Sequence, residues 1–524
     1  MPILAIFWLA FSGGDDTWRH VIANVLPRAA GRTIWLLLFT GAAAAVFGIF
    51  TAWLVASFEF PGRRLLSAAL VLPLAIPSYL AAYAFGEFLD FTGPIQTWYR
   101  EAFGYRTTRD YWFPDIRSLG GAVLVLSSVL YPYVYLACRS MFMMQGRAAA
   151  DVARTLGAGP LRVLLRIQIP MARPAIVIGL TLVMMETLND IGAVEFLGVN
   201  TLTFSVYDTW LNRGSLSGAA QIAAVMLAVV AALILIERAA RRRQRFAGSR
   251  TTAHAGNALR PRLSRTKGWL AAMFCALPVA TGFFIPVLVM GRFASARIEN
   301  FADPRLLDAL WNSMSVSAAA AASAVCLGFI LSYAARSEPS VRTAFAGRIA
   351  SLGYGVPGTV LAIGVLIPLA GFDNALDGFL RTNFGISTGL LLSGSGFAIV
   401  YACTVRFMTI AEGNLDAGFQ KLSLHLDMAA RALGRNRRQT LRSVLLPNMR
   451  PALLTAALFV FIETMKELSA TILLRPFNFN TLATLVYEDA SRAKIEDASV
   501  ASIIIILAGL IPVILVSRSM DRLR

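Results

Sequence analysis

Four acidic side chains stand in stretches that are otherwise almost wholly apolar: Glu186 and Asp190, then Glu463 and Glu467. Carboxylates four residues apart share one face of a helix, and an ionisable group in hydrocarbon normally faces a bundle interior or a wet path. The chemistry open to them is electrostatic. They can line a route and steer or repel an ion near its outer gate, or they can act as polar glue bonded to Thr187, Asn189 and Lys466. The residue types leave both readings open. With Pro174 in a helix's first turn, Glu186 and Asp190 fall about 18 and 24 Å along the axis, at and beyond the middle of a bilayer.

A second set of residues is written twice. Asp151-Val-Ala-Arg-Thr-Leu-Gly157 and Met428-Ala-Ala-Arg-Ala-Leu-Gly434 are each followed, thirteen residues after the glycine, by a proline, Pro170 or Pro447. At a constant offset of 277 positions Ala153, Arg154, Gly157, Pro170, Pro174 and Glu186 land on Ala430, Arg431, Gly434, Pro447, Pro451 and Glu463. Upstream the offset is 280, where Ile76-Pro77 matches Val356-Pro357 and Gly48 matches Gly328. The chain is therefore a tandem duplication with halves of roughly 240 residues. Val152-Ala153 and Ala429-Ala430 on a short amphipathic helix let a partner groove approach closely. Gly157 and Gly434 suit the left-handed residue that ends a helix, and the arginines that follow suit lipid headgroups.

Other chemistries find little to work with. Cys138, Cys275, Cys326 and Cys403 fall one per span without a paired spacing, and His20, His254 and His425 are scattered, so no high-affinity metal site is expected. The lysines Lys267, Lys421, Lys466 and Lys494 follow Thr, Gln, Met and Ala, so no Gly-Lys phosphate loop exists. No nucleophile, base and oxyanion set recurs at a plausible depth, and the chain reads as neither an enzyme nor a cofactor carrier.

Composition fixes the solvent in which these residues work. With 57% hydrophobic and 15% charged residues and a mean hydropathy of +0.63, this is an integral membrane protein of the all-α polytopic class. Spans of about 20 apolar residues are expected over 33–57, 66–88, 119–138, 175–198 and 217–236, then 269–290, 313–335, 349–371, 389–410, 452–474 and 498–516. The opening run Pro2 to Phe11 is about half a span and reads as a short first helix rather than a cleaved signal, giving two six-helix repeats and about 12 helices.

The expected organisation is a short helix and periplasmic segment over 1–30, a first repeat over 31–237 and a basic linker over 238–268. The first helix of the second half follows over 269–308, the second repeat over 309–517 and a tail over 518–524. Arg and Lys concentrate in 139–173, 238–268, 336–348, 406–450 and 518–524, which places both termini and both repeated loops in the cytoplasm. The net charge of +18 thus belongs beside the lipid bilayer rather than in a nucleic-acid-binding domain.

The duplicated loop resembles the Glu-Ala-Ala loop of binding-protein-dependent ABC importer permeases. The matching residues are Val152-Ala153, Gly157 and Ile167-Gln-Ile-Pro170, and again Ala429-Ala430, Gly434 and Val444-Leu-Leu-Pro447. Where that family has glutamate, this chain has Asp151 in the first copy and Met428 in the second, with Asp427 displaced by one. The resemblance implies two ABC type-1 repeats whose loops dock on two copies of a cytoplasmic ATPase, with Arg154 and Arg431 as polar contacts. It also implies a periplasmic binding protein, an inner-membrane location, one permease chain per transporter, and alternating access.

Leu72-Pro-Leu-Ala-Ile-Pro-Ser-Tyr-Leu-Ala-Ala-Tyr83, Glu186-Thr-Leu-Asn-Asp-Ile-Gly-Ala193, Phe196-Leu-Gly-Val199 and Ala219-Ala-Gln-Ile222 look like the fused ferric-iron permeases. Thiamine and phosphonate importers share the architecture, so another small solute is the alternative cargo. Parallel repeats also occur in ATPase-independent secondary carriers, the second alternative.

Overall fold

The computed structural model describes residues 2–12, 15–144, 152–153, 155–241, 260–338, 340–350, 353–423 and 425–521. The helices that matter for function are α1 (Pro2–Ser12), α2 (Leu26–Ser57), α3 (Ser78–Leu89), α4 (Leu119–Met144), α5 (Ile169–Asn189), α6 (Gly192–Phe196) and α7 (Leu216–Arg241). They continue as α8 (Arg265–Val279), α9 (Ile285–Ala296), α10 (Pro304–Ser337), α11 (Gly358–Phe384), α12 (Phe397–Lys421) and α13 (His425–Ala432). The last four are α14 (Leu446–Lys466), α15 (Thr471–Leu474), α16 (Leu482–Ser491) and α17 (Ile495–Asp521). The protein is an all-α polytopic membrane protein, and among the described residues its only β contact is an isolated bridge between Glu59 and Arg262.

Two compact units divide the chain, one of Met1–Ser12 with Glu299–Glu488 and one of Gly13–Ile298 with Asp489–Arg524. In the second of these, α2, α4 and α5 form the densest packing. The buried face of α2 reads Ala29, Thr33, Leu36, Leu37, Thr40, Gly41, Ala44 and Gly48, spaced three and four apart and built mostly of small residues. Small side chains let helices approach closely where hydrocarbon supplies no hydrophobic drive. At Gly48 the approach is so close that an added Cβ would lie 2.6 Å from the Val134 Cβ on α4.

The other unit repeats this face residue for residue. On α10 the buried residues Ala309, Ser313, Val316, Ser317, Ala320, Ala321, Ala324 and Gly328 stand 280 positions after those of α2. The tie between each such helix and its own repeat is also the same. Leu202 N donates to Thr33 Oγ1 at 2.9 Å, and Leu482 N donates to Ser313 Oγ at 2.7 Å. A buried backbone amide needs an acceptor, so a hydroxyl at this place fixes the depth at which the chain re-enters the bundle.

Among the described residues nine helices are long and apolar enough to cross a membrane, or ten if Arg63–Ala75 and Ser78–Phe103, bent by 98°, are one span. The expected span 66–88 is thus broken, because Pro77 cannot donate a helical N–H and biases Ile76 toward extended backbone. Carbonyls freed near the break are taken up by α4, where the Tyr131 and Tyr135 hydroxyls each donate at 2.9 Å to Leu70 O and Ser67 O. The expected span 349–371 shifts to α11 for the same reason, with Pro357 capping its start. The expected span 389–410 becomes α12, which carries Arg406, Glu412, Asp416 and Lys421 and is not among the nine helices long and apolar enough to cross.

Two further boundaries differ from expectation in a way that bears on function. The span over 175–198 is a helix from Pro160 to Asn189, so Pro174 lies in its interior and not in its first turn. The span over 452–474 likewise runs from Arg437 to Lys466. Both helices stop where the next residue is an acid.

Candidate functional site

The two repeated loops end in the same geometry. Gly157 and Gly434 adopt φ of 82° and 78°. The next amide turns back five residues, Ala158 N to Ala153 O at 2.9 Å and Arg435 N to Ala430 O at 3.0 Å. This is the left-handed glycine stop, which satisfies the last carbonyls of a helix. Ala153 and Ala430 are buried beneath it, while Val152, Ala429 and Arg431 are exposed. Leu156 and Leu433 are 83% and 82% exposed, so each loop holds out one large apolar side chain at the same place. Asp151 and Arg154 lie outside the described residues.

Beneath the glycine stop the copies differ. In the first, Ala153 packs on Val163, Ala158 and Ile167. In the second, Thr440 and Arg435 stand where Val163 and Ala158 do, and a cavity of about 140 Å³ opens between Tyr333, Arg336, Asp427, Met428, Arg431 and Thr440. Asp427, the displaced acid, pairs with Arg336 at 2.6 Å.

Each loop runs directly into a long helix. Pro170 and Pro447 are the second residues of α5 and α14, and each follows a single π turn, Leu164–Gln168 or Leu441–Leu445. A proline offers no N–H to the preceding turn, and the wider turn absorbs the mismatch while the helix axis continues.

At the far end of these helices, about 30 Å away at 1.5 Å per residue, stand the acids. Asp190 is buried and accepts from the Ser78 hydroxyl, from Ala193 N at 2.8 Å and from Val194 N at 3.3 Å, capping α6. Glu467 is its counterpart, buried and capping α15. It accepts from Ala470 N at 3.0 and 3.1 Å, Thr471 N at 3.0 Å and Thr471 Oγ1 at 2.9 Å, and pairs with Arg406 Nη1 at 2.7 Å. Because α5 and α14 end one residue earlier, neither acid continues the helix face of Glu186 or Glu463, a correction to the shared-face reading. Glu186 and Glu463 themselves are half-buried, and Glu463 pairs with Lys466 at 2.8 Å.

The structure brings each loop together with its proline helix and each distal acid together with a short buried helix. Loops and acids form separate sites joined by a rod. Sequence reasoning missed Ser78, Arg406 and Arg336 as partners. Only Arg406 left a signal, since a cation inside an apolar span must find an acid.

The chain matches the family of binding-protein-dependent transport system inner membrane components twice, over residues 44–245 and 324–524. It belongs to that family. The two matches begin 280 residues apart, the register of α2 and α10, and each encloses one glycine-ended loop and one acid-ended helix. This permease is therefore a fused, two-repeat member. It is 25% identical over 514 residues, 95% of this chain and 92% of the relative, to an Fe(3+)-transport system permease protein of Haemophilus influenzae. It is 30% identical over 199 residues, 37% of this chain and 64% of the relative, to a sulfate transport system permease protein of Escherichia coli. A molybdenum transport system permease protein of Escherichia coli is 30% identical over 201 residues, 36% of this chain and 82% of that protein. The relatives are transport proteins, and the family places the chain in the inner membrane.

Proposed function

We propose that this permease is the translocation pathway of an ATP-driven importer that carries ferric iron delivered by a periplasmic binding protein. Its two loops, Asp151 to Pro170 and Met428 to Pro447, face the cytoplasm with both termini and dock on two copies of a separate ATPase. Closure of those subunits on ATP draws the loops together, and α5 and α14 carry the movement about 30 Å to the acid-ended side, which opens outward and then resets. The observation that carries this reading is the duplicated glycine stop, with its exposed leucine, joined without a gap to a spanning helix.

Ferric iron is favoured over an oxyanion by the likeness to the Fe(3+) permease along nearly the whole chain. Charge adds support, since carboxylates such as Glu186 and Glu463 beside a path attract a cation and disfavour sulfate or molybdate. Glu186 and Glu463 are the acids placed to line the path, while Asp190 and Glu467 hold the short helices beside it. Uptake of radioactive iron into liposomes containing the permease, its ATPase and iron-loaded binding protein checks the assignment. Glu186→Gln is expected to lower the ATP-dependent uptake severalfold at equal protein level. Uptake of sulfate or molybdate instead, or an unchanged rate in the variant, contradicts it.

A further inference from the structure

The loops are alike where they face outward and unlike where each meets its own repeat. In the second repeat α10 ends beside α13, and Arg336 directs all five of its N–H groups to acceptors. Nη1 donates to Phe419 O at 2.9 Å and Leu422 O at 3.0 Å, Nη2 to Ser423 O at 3.1 Å and Asp427 Oδ2 at 2.6 Å, and Nε to Asp427 Oδ2 at 3.2 Å. A guanidinium is a fixed planar fork of five donors, so this set leaves it one orientation. The Phe419 ring lies 5.6 Å from its centre, and the Arg336 side chain is only 8% exposed, which shelters the pair from water.

Packing does little to hold α13. Ala430 is its one buried residue, and the cavity beside Tyr333 and Thr440 leaves room under it. The guanidinium is what ties its first turn, through Asp427, to the end of α12 and to α10. In the first repeat the position 280 residues earlier is Ala56, and the loop rests on the apolar contacts of Ala153 instead.

We infer that Arg336 is a positioning residue that fastens the second coupling helix to α10, so that displacement of α13 by the ATPase moves α10 as one body. The first loop, where Ala56 stands at the place of Arg336, transmits through the packing that leads into α5. The two strokes of the transporter are then mechanically unequal, with the tighter linkage in the second repeat. This rests on the importer reading above.

The test uses the complete transporter in liposomes with iron-loaded binding protein, and reads iron transported per ATP hydrolysed together with the amount of assembled complex. Arg336→Lys keeps the charge but not the fork, and is expected to lower that ratio by at least about tenfold with assembly unchanged. Asp427→Asn should fall between it and the parent. Arg213→Ala, which removes an exposed pair with Asp208 at 2.9 Å outside both loops, should leave the ratio unchanged. Ratios within twofold of the parent in Arg336→Lys overturn the clamp. So does a loss that merely follows loss of assembled complex, or an equal loss in Arg213→Ala. A parent transporter that hydrolyses ATP without moving iron fails the importer reading itself, a separate outcome.

Discussion

Gly157→Val and Gly434→Val are each expected to cut transport by about tenfold while leaving membrane insertion and thermal stability nearly unchanged. At φ of 82° and 78° a β-branched residue sits in backbone space that costs L residues about 1–2 kcal/mol or more. The cost is torsional, because a Cβ at either glycine meets no atom of the described residues within 4 Å. The side chain therefore fits, but the helix stop does not hold, and the amides of Ala158 and Arg435 lose their turn back to Ala153 and Ala430. Since about 1.4 kcal/mol is tenfold in an equilibrium, the docked form of the loop becomes roughly ten times rarer. Gly157→Asn should be milder, as asparagine tolerates the left-handed region. Uptake and ATPase affinity measured together check this, and full uptake in both valine variants contradicts the coupling role.

Arg406→Leu is expected to give a large loss of stability. It leaves Glu467 charged and buried, and removing one partner of a buried ion pair costs about 3–5 kcal/mol. Combining it with Glu467→Gln should recover part of the loss, because the amide can still accept from Ala470 N and Thr471 N without an uncompensated charge. Asp190→Asn in the first repeat should be mild, since the hydrogen-bond partners of Asp190 are a hydroxyl and two backbone amides. Thermal unfolding in detergent separates these cases. Equal melting temperatures for Arg406→Leu and the parent would mean that the pair does not hold α15.

What the sequence made legible follows from locality. The glycine stops, the prolines at the helix starts and the 280-residue register of α2 and α10 are short-range patterns, and duplication doubled each signal. The acids were visible as ionisable residues in apolar stretches, but their duty was not. Asp190 and Glu467 cap short helices because α5 and α14 stop just before them, and their partners Ser78 and Arg406 lie 112 and 61 residues away. Arg336 was hidden for a similar reason. Three of its acceptors are backbone carbonyls, which any sequence could supply. The break before α3 was the intermediate case: Ile76-Pro77 marked the place, yet the apolar run around it argued for a continuous span.

We expect one chain to present both coupling loops, so that a single permease engages two ATPase subunits. Native mass spectrometry of the complex purified from membranes through a tag on this chain measures that directly. The predicted mass corresponds to one permease chain with two ATPase subunits. A complex with two permease chains, or a permease that purifies with no ATPase under conditions where uptake is active, would contradict the account.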